Sequence, residues 1–214
     1  MQNRRDWLRS SLGIGGLLLA PSNLLTAQEK TDFNPRPLEP VIRLSSNENP
    51  YGPSKRVQER IKNSFVHGCR YPYAYSDDLE SILAKKHGVS PESIIVTGGS
   101  TEGLKIAGLT FASNGGEIIS GQPTFLAMMN YAKQWGATVN WVPVGADKGY
   151  DLDEIENRIS SKTKLVFLCN PNNPTGTLVP AKKLVDFCNA ASQKTIVFSD
   201  EAYYDFIETP NYPS

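Results

Sequence analysis

The stretch that decides the fold covers residues 164–203 and reads KLVFLCNPNNPTGTLVPAKKLVDFCNAASQKTIVFSDEAY. It opens on an apolar run at 165–168, which indicates a buried strand, and then breaks at a polar turn over 170–176. A helical pattern follows, and a second β-rich run at 195–198 ends in Ser-Asp-Glu-Ala-Tyr. Strand, turn, helix and strand make a βαβ unit, whose right-handed crossover brings both strand ends to one edge of a sheet. An Asn, an Asp and a Tyr are then expected in the crevice where α/β proteins bind ligands.

Length and composition are those of a globular protein. The chain has 214 residues, no formal net charge and 39% apolar residues, which suits one large domain or two small ones. Lysines and arginines are spread among acidic residues, which argues against a nucleic-acid partner. The three cysteines, Cys69, Cys169 and Cys188, lack metal-ligand spacing, so we expect buried or half-buried free thiols and no metal site.

The N-terminus carries the pattern of an export signal. Arg4 and Arg5 precede a large apolar pair and a short run of apolar and small residues that extends to Gln28, as in secretory signals of the twin-arginine type. Glycine and proline break this run, which is too short for a comfortable permanent membrane span. We therefore predict a signal peptide over residues 1–28 and a periplasmic or exported protein. The alternative is an ordinary N-terminal helix in a cytoplasmic protein.

A glycine-rich turn precedes a second predicted helix. The run Ser-Ile-Ile-Val-Thr at 93–97 is rich in β-branched residues, which predicts a strand, and Gly98-Gly99 then leads into Ser100 and Thr101. The backbone N–H groups of a helix N-terminus, together with the two hydroxyls, favour an anion. The spacing is neither a dinucleotide fingerprint nor a Walker A loop. A turn without a ligand is the alternative reading.

Hydrophobic periodicity outlines the remaining elements. Helices are expected over 54–65, after Pro123 and around 152–159, and strands over 117–120 and 138–144. A further helix is expected to begin at a capping box formed by Asp77 and Glu80 and to end at Gly88. Helices that alternate with strands predict an α/β fold. Its form is a three-layer α/β/α sandwich with a mostly parallel sheet.

Two polar segments of the opening stretch identify a family. Asn-Asn-Pro-Thr-Gly at 172–176, followed by Asp-Glu-Ala-Tyr at 200–203, resembles the aspartate-aminotransferase superfamily of fold type I enzymes, which use pyridoxal phosphate (PLP). Within it the chain looks most like histidinol-phosphate aminotransferases. The resemblance covers roughly residues 41–208 and implies a PLP-dependent transferase large domain that stops before a C-terminal small domain. It divides the chain into a signal peptide (1–28), an N-terminal arm with a substrate loop (29–53) and an incomplete PLP-binding large domain (54–214).

The resemblance also implies a cofactor cradle. A carboxylate keeps the pyridine nitrogen protonated, since opposite charges stabilise each other, an aromatic side chain stacks on the ring, and two donors bind the ring oxygen. The matching residues are Asp200 for the nitrogen, Phe125 for the ring face, Asn173 with Tyr203 for the oxygen, and Ser100 with Thr101 for the phosphate. For Phe125, bare helical periodicity gives the alternative of a plain core residue.

Two further segments match the family. An Asn-Glu-Asn-Pro run resembles its substrate loop, although a plain surface turn is the alternative. The residues expected to line this loop are Asn47, Asn49, Tyr51 and Gly52. In the Arg-Tyr-Pro element at 70–72, Tyr71 is expected to reach the cofactor phosphate of the neighbouring subunit of a homodimer, with Tyr73 as the runner-up.

The implied activity is transfer of an amino group between an amino acid or amino phosphate, such as histidinol phosphate, and a 2-oxo acid. The family's Schiff-base lysine and a distal arginine are expected beyond Ser214. No catalytic residue is therefore assigned within the chain, and the chain alone is expected to be inactive. A PLP decarboxylase of the same fold, similar to threonine-phosphate decarboxylase, and a non-catalytic PLP-binding module are the alternatives.

Overall fold

The structure, a computed structural model, describes residues 44–214. The predicted signal peptide and the start of the predicted arm lie outside the described residues. Contacts divide the chain between Arg70 and Tyr71, so residues 44–70 and 71–214 are described separately. The first segment holds helix α1 (Lys55–Ser64) and a 3-10 turn (Phe65–His67). The Ser54 hydroxyl accepts from the Val57 N–H at 3.4 Å and caps α1, which confirms this predicted helix.

Residues 71–214 alternate helices and strands. The helices are α2 (Tyr73–His87), α3 (Ser100–Ala112), α4 (Ala127–Lys133), α5 (Leu152–Asn157) and α6 (Ala181–Ala191), with 3-10 turns at Pro91–Ser93 and Tyr204–Phe206. The strands are β1 (Glu117–Gln122), β2 (Thr138–Pro143), β3 (Thr163–Cys169) and β4 (Ile196–Asp200). Across residues 44–214, no helix is long and apolar enough to span a bilayer.

The strands form one sheet in the order β2-β1-β3-β4, and every pairing is parallel. The predicted βαβ unit is present, because β3 pairs with β4 from Leu165–Ile196 to Cys169–Asp200 and α6 connects them. Parallel neighbours with helical crossovers require helices on the sheet faces.

Buried side chains of β3 alternate between the two faces of the sheet, as strand geometry requires. Leu165 and Phe167 belong to a cluster that includes residues of α3 and α4. Val166 and Leu168 belong to a cluster that includes residues of α5 and α6. Each face is therefore covered by helices, which confirms the predicted three-layer α/β/α architecture.

The strand predicted at residues 93–97 is wrong. Pro91–Ser93 forms a 3-10 turn, and the following segment belongs to no ladder. Ile95 is 82% exposed. Apolar, β-branched residues favour extended backbone, but a strand also needs a partner for its N–H and C=O groups. Neither edge strand of the described sheet pairs with this segment.

The predicted capping box of Asp77 and Glu80 is also wrong. Helix α2 already begins at Tyr73, since the Ser76 N–H donates to the Pro72 carbonyl at 3.0 Å. Asp77 therefore lies inside the helix. The predicted end is confirmed: Gly88 adopts a left-handed φ of 67°, and its N–H donates to the Ala84 carbonyl.

Candidate functional site

The predicted ring-contacting residues follow the carboxyl ends of three strands. Asp200 is the last residue of β4 and pairs in register with Cys169, the last residue of β3. Asn173 lies in the turn after β3, and Phe125 follows β1 by three residues. Because parallel strands end at the same edge of a sheet, these residues lie at the edge where α/β proteins have their ligand crevice.

Asp200 is a buried carboxylate, only 7% exposed. Its Oδ1 accepts from the Ala202 N–H at 3.1 Å, and within residues 44–214 no cation forms an ion pair with it. Burial raises the pKa of this carboxyl, the Ala202 hydrogen bond opposes the rise, and the neighbouring Glu201 charge adds to it. A cationic group placed against Asp200 would relieve this cost, which is the chemistry of a protonated ring nitrogen.

Asn173 and Tyr203 bring two donor groups together. Asn173 Nδ2 lies 3.5 Å from Tyr203 Oη, at the long end of the hydrogen-bonding range. Both side chains are half-buried. An amide N–H and a phenolic O–H at this separation can bind one shared acceptor oxygen.

The N-terminus of α3 offers unused backbone donors. The first helical hydrogen bonds run from the Glu102 and Gly103 N–H groups to the Gly99 carbonyl, so the N–H groups of Ser100 and Thr101 precede them. The Glu102 carboxylate accepts from the Gly98 N–H. The N–H groups of the two predicted phosphate-binding residues, both of which are exposed, are therefore among the donors that remain for an anion.

The Phe125 side chain belongs partly to the hydrophobic core. It is half-buried and packs against the cluster between the sheet and the α3–α4 layer. Packing on one side holds the ring in place, while its remaining surface faces outward. The core role given by periodicity and the stacking role implied by the resemblance are therefore compatible.

The predicted substrate loop is shaped by Asn49. Its Oδ1 accepts from the Tyr51 N–H at 3.0 Å, and its Nδ2 donates to the Gly52 carbonyl at 3.2 Å. Gly52 has a φ of 65° and Asn47 one of 52°, conformations that glycine and asparagine tolerate. The loop belongs to residues 44–70, and its predicted substrate contacts stay a prediction.

The predicted intersubunit tyrosines lie at the start of the second segment. The rings of Tyr71 and Tyr73 stack with centroids 5.6 Å apart and planes 24° apart. Both side chains are largely exposed. An exposed aromatic pair suits contact with another chain, and the geometry favours neither tyrosine over the other.

The cysteines differ from one another. Cys169 is buried, and burial raises the pKa of its thiol to about 11, opposed by the Asn173 backbone N–H; it is an inert thiol. Cys188 is half-buried, as expected. Cys69 is exposed, so the prediction of a buried or half-buried thiol is wrong for this residue, which the neighbours in its segment do not cover. In the part of the chain that the structure describes, no cluster of His, Cys, Asp and Glu could hold a metal ion.

Sequence reasoning missed a buried polar cluster beside the site. The hydroxyl oxygen of Tyr150 lies 2.7 Å from both Thr124 Oγ1 and Asn172 Oδ1, and Thr124 Oγ1 lies 2.9 Å from the same amide oxygen. Burial raises the pKa of Tyr150 to about 12. Only Asn172 stood in a recognised motif; nothing in the sequence around Tyr150 signalled a polar role.

Comparisons with known proteins agree with this geometry. Histidinol-phosphate aminotransferase from Bacillus velezensis is 36% identical over 176 residues, covering 82% of this chain and 49% of that protein. The structure of histidinol-phosphate aminotransferase from Sinorhizobium meliloti, in complex with pyridoxal-5'-phosphate, matches with a TM-score of 0.69 at 26% identity, over 75% of this chain and 44% of that one. L-threonine-O-3-phosphate decarboxylase from Porphyromonas gingivalis has the same fold, with a TM-score of 0.60 at 22% identity, over 72% of this chain and 47% of that one.

The chain spans about half the length of the relatives it matches. These similarities, and the crevice with its unpaired carboxylate, support pyridoxal phosphate as the cofactor expected from the sequence. The aminotransferase class I and II model matches residues 39–213, and the chain therefore belongs to that family.

Proposed function

We propose that the chain forms the cofactor-binding part of a PLP-dependent aminotransferase. Its reaction moves an amino group between an amino acid or amino phosphate, such as histidinol phosphate, and a 2-oxo acid. The observation that carries the proposal is Asp200, a buried carboxylate without a cationic partner among the described residues. It stands three residues before Tyr203, which Asn173 approaches to 3.5 Å.

Each residue of the crevice has a task that its chemistry suits. Asp200 would hold a proton at the ring nitrogen, and Asn173 and Tyr203 would donate to the ring oxygen. Phe125 would fix the ring plane, while Ser100 and Thr101 would bind the phosphate with the N-terminus of α3. Bound PLP supplies an electron sink for the bond that breaks at the substrate carbon.

The lysine that the chemistry needs has no candidate in this crevice. Every lysine in residues 44–214 is exposed, and several are engaged elsewhere: Lys105 lies over Tyr131, and Lys194 pairs with Glu156. We infer that the Schiff-base lysine comes from a segment outside this sequence. The chain alone is then inactive.

The test uses the full-length protein that contains this chain. Visible absorbance of bound PLP, and amino transfer from histidinol phosphate to a 2-oxo acid, are the expected results. Release of carbon dioxide from threonine phosphate would favour the decarboxylase, whose fold this chain shares. Bound PLP without turnover of either substrate would favour a non-catalytic module. A protein that takes up no PLP contradicts the proposal.

We also propose that the protein is exported through the twin-arginine route, on the pattern that begins at Arg4 and Arg5. Replacing both arginines with lysine should leave the precursor in the cytoplasm. Unchanged periplasmic accumulation contradicts export by this route.

A homodimer is the proposed assembly, with Tyr71 contacting the cofactor phosphate of the partner. The exposed, stacked pair of Tyr71 and Tyr73 supports it. Sedimentation of the full-length protein should give a dimer, and Tyr71→Phe should weaken PLP binding more than Tyr73→Phe. A monomer with normal PLP affinity contradicts this assembly.

A further inference from the structure

A triangle of polar side chains ties together two loops at the carboxyl edge of the sheet. Its corners are Tyr150 Oη, Thr124 Oγ1 and Asn172 Oδ1, separated by 2.7, 2.7 and 2.9 Å. Thr124 and Asn172 are only 5% and 3% exposed. The two hydroxyl groups supply two hydrogens, so two of the three contacts are full hydrogen bonds at any one time, and Asn172 Oδ1 can only accept. Such a closed, buried arrangement is costly to disturb because a lost partner leaves a buried polar group unsatisfied.

Each loop residue in the triangle directly precedes a predicted cofactor contact. Thr124 comes before Phe125, and Asn172 comes before Asn173. The Asn172 amide adds a second link between the loops, since Nδ2 donates to the Pro123 carbonyl at 3.0 Å. The spacing between the stacking ring and the Asn173 donor therefore depends on the triangle.

Tyr150 is the corner that belongs to neither loop. Its hydroxyl oxygen also accepts from the Cys169 N–H at 3.2 Å, at the last residue of β3. Its ring packs so closely on β1 that a Cβ on Gly121 would lie 2.2 Å from Cδ1 and 2.4 Å from Cε1. Glycine at 121 thus lets the ring cross the strand and reach both loops.

We propose that Tyr150 is a positioning residue of the cofactor site: through Thr124 and Asn172 it holds the Phe125 and Asn173 loops at the separation that the PLP ring needs. This inference rests on the proposed function. Tyr150 itself touches no reacting atom, and its effect passes through the two loops.

Removing the hydroxyl gives a specific expectation. Tyr150→Phe keeps the ring but leaves the Cys169 N–H without this acceptor and Asn172 Oδ1 with Thr124 alone. The two loops then lose their common anchor, and PLP affinity should fall about tenfold. The matched control is Tyr204→Phe, whose lost hydroxyl donates to the Tyr212 carbonyl at 2.6 Å, outside both loops.

The experiment compares the full-length variants by three measurements. PLP dissociation constants and the visible circular dichroism of bound PLP report affinity and ring orientation, and amide hydrogen exchange of the cofactor-free protein reports the loops at 122–126 and 170–176. Tyr150→Phe should weaken PLP, alter the dichroism and speed exchange in both loops. Tyr204→Phe should do none of these.

A second pair of variants keeps the test decisive if Tyr150→Phe does not fold. Thr124→Val removes the hydroxyl and should reproduce the effects of Tyr150→Phe. Thr124→Ser keeps a hydroxyl and should behave nearly like the wild type. Exchange in the loops that is unchanged by Tyr150→Phe, or by Thr124→Val, overturns the positioning role. If the wild-type protein binds no PLP, the proposed function fails, and the positioning role towards PLP fails with it. If the wild type binds PLP and both variants match it in affinity and dichroism, only the positioning role fails.

Discussion

The backbone N–H of Asn170 donates to the carbonyl oxygen of Asp200 at 2.9 Å. The contact continues the β3–β4 ladder by one step beyond the pairing of Cys169 with Asp200. The turn that carries Asn173 is therefore fastened to the end of β4 by sheet hydrogen bonding. Rigid elements hold functional groups more accurately than free loops do, which makes the crevice suited to chemistry that depends on orientation.

Asp200→Asn should leave PLP bound to the full-length protein but slow the reaction. Asparagine keeps the shape and can contact the ring nitrogen, yet it cannot hold a proton there by its charge. The loss of one such electrostatic partner costs ~3 kcal/mol, or about two to three decades in rate. Single-turnover amino transfer, with cofactor occupancy followed by absorbance, measures it. Asp205→Asn, at an exposed position, is the control, and a rate within a few-fold of wild type contradicts the assignment.

The same substitution should stabilise the protein when no cofactor is present. Burial raises the pKa of Asp200 from the ordinary 3.8, so the folded state binds the proton more tightly than the unfolded state. The stability this gives is present below pH 3.8 and is lost as pH rises through the folded-state pKa. In urea unfolding of the cofactor-free protein at neutral pH, Asp200→Asn should therefore have a higher free energy of unfolding than the wild type. The difference between the two free energies should be smaller in acid. A less stable variant at neutral pH contradicts the uncompensated burial of this carboxylate.

Asn173→Ala and Tyr203→Phe should each weaken PLP binding only mildly, by about 1 kcal/mol, because the other donor still reaches the ring oxygen. The double variant should lose more binding free energy for PLP than the sum of the losses in the two single variants. A double-mutant cycle on PLP dissociation constants measures the coupling. Strict additivity contradicts a shared acceptor.

Gly121→Ala should destabilise the protein by about 1–3 kcal/mol, since the new Cβ would lie 2.2 Å from the Tyr150 ring. Gly103→Ala is the control, because its Cβ would meet Thr97 at an ordinary 3.7 Å; in a helix this change is stabilising by roughly 0.5–1 kcal/mol. Urea denaturation of both variants gives the comparison. Equal stability of Gly121→Ala and wild type means that the ring does not pack on β1 as described.

Alkaline pH should destabilise the fold through Tyr150. Burial raises the pKa of its phenol from 10 to about 12, so the unfolded state loses the proton first. The contribution is intact below pH 10 and is lost as pH rises to about 12. The stability contributed by the Cys169 thiol is likewise lost between pH 9 and about 11. Tyr150→Phe should therefore remove only part of the decline in unfolding free energy at alkaline pH. A decline of the same steepness in Tyr150→Phe contradicts this role.

Local sequence was enough to predict a mostly parallel sheet and the unit in which a helix joins β3 to β4, whereas the site residues were predicted from the family resemblance. Apolar, β-rich runs such as 165–168 favour buried strands, and the structure confirms β3 and β4. Once two parallel strands are joined by a helix, chain geometry alone brings Asn173 and Asp200 to one edge. Residues 93–97 have the same composition, but they form no strand because pairing depends on a neighbour that local sequence does not specify.

Only the tertiary structure decided the surroundings of each site residue. Asp200 is 7% exposed, and this burial, which raises its pKa, is a property of the folded chain that the Ser-Asp-Glu-Ala-Tyr motif does not show. The partners of Tyr150 lie 26 and 22 positions away in sequence, and the space for its ring exists because Gly121 lacks a side chain. The sequence by itself determined the βαβ unit of β3, α6 and β4 and the motif that names the family. The polar triangle beneath the crevice needed the fold, because hydrogen bonds between distant residues form only where packing brings them within about 3 Å.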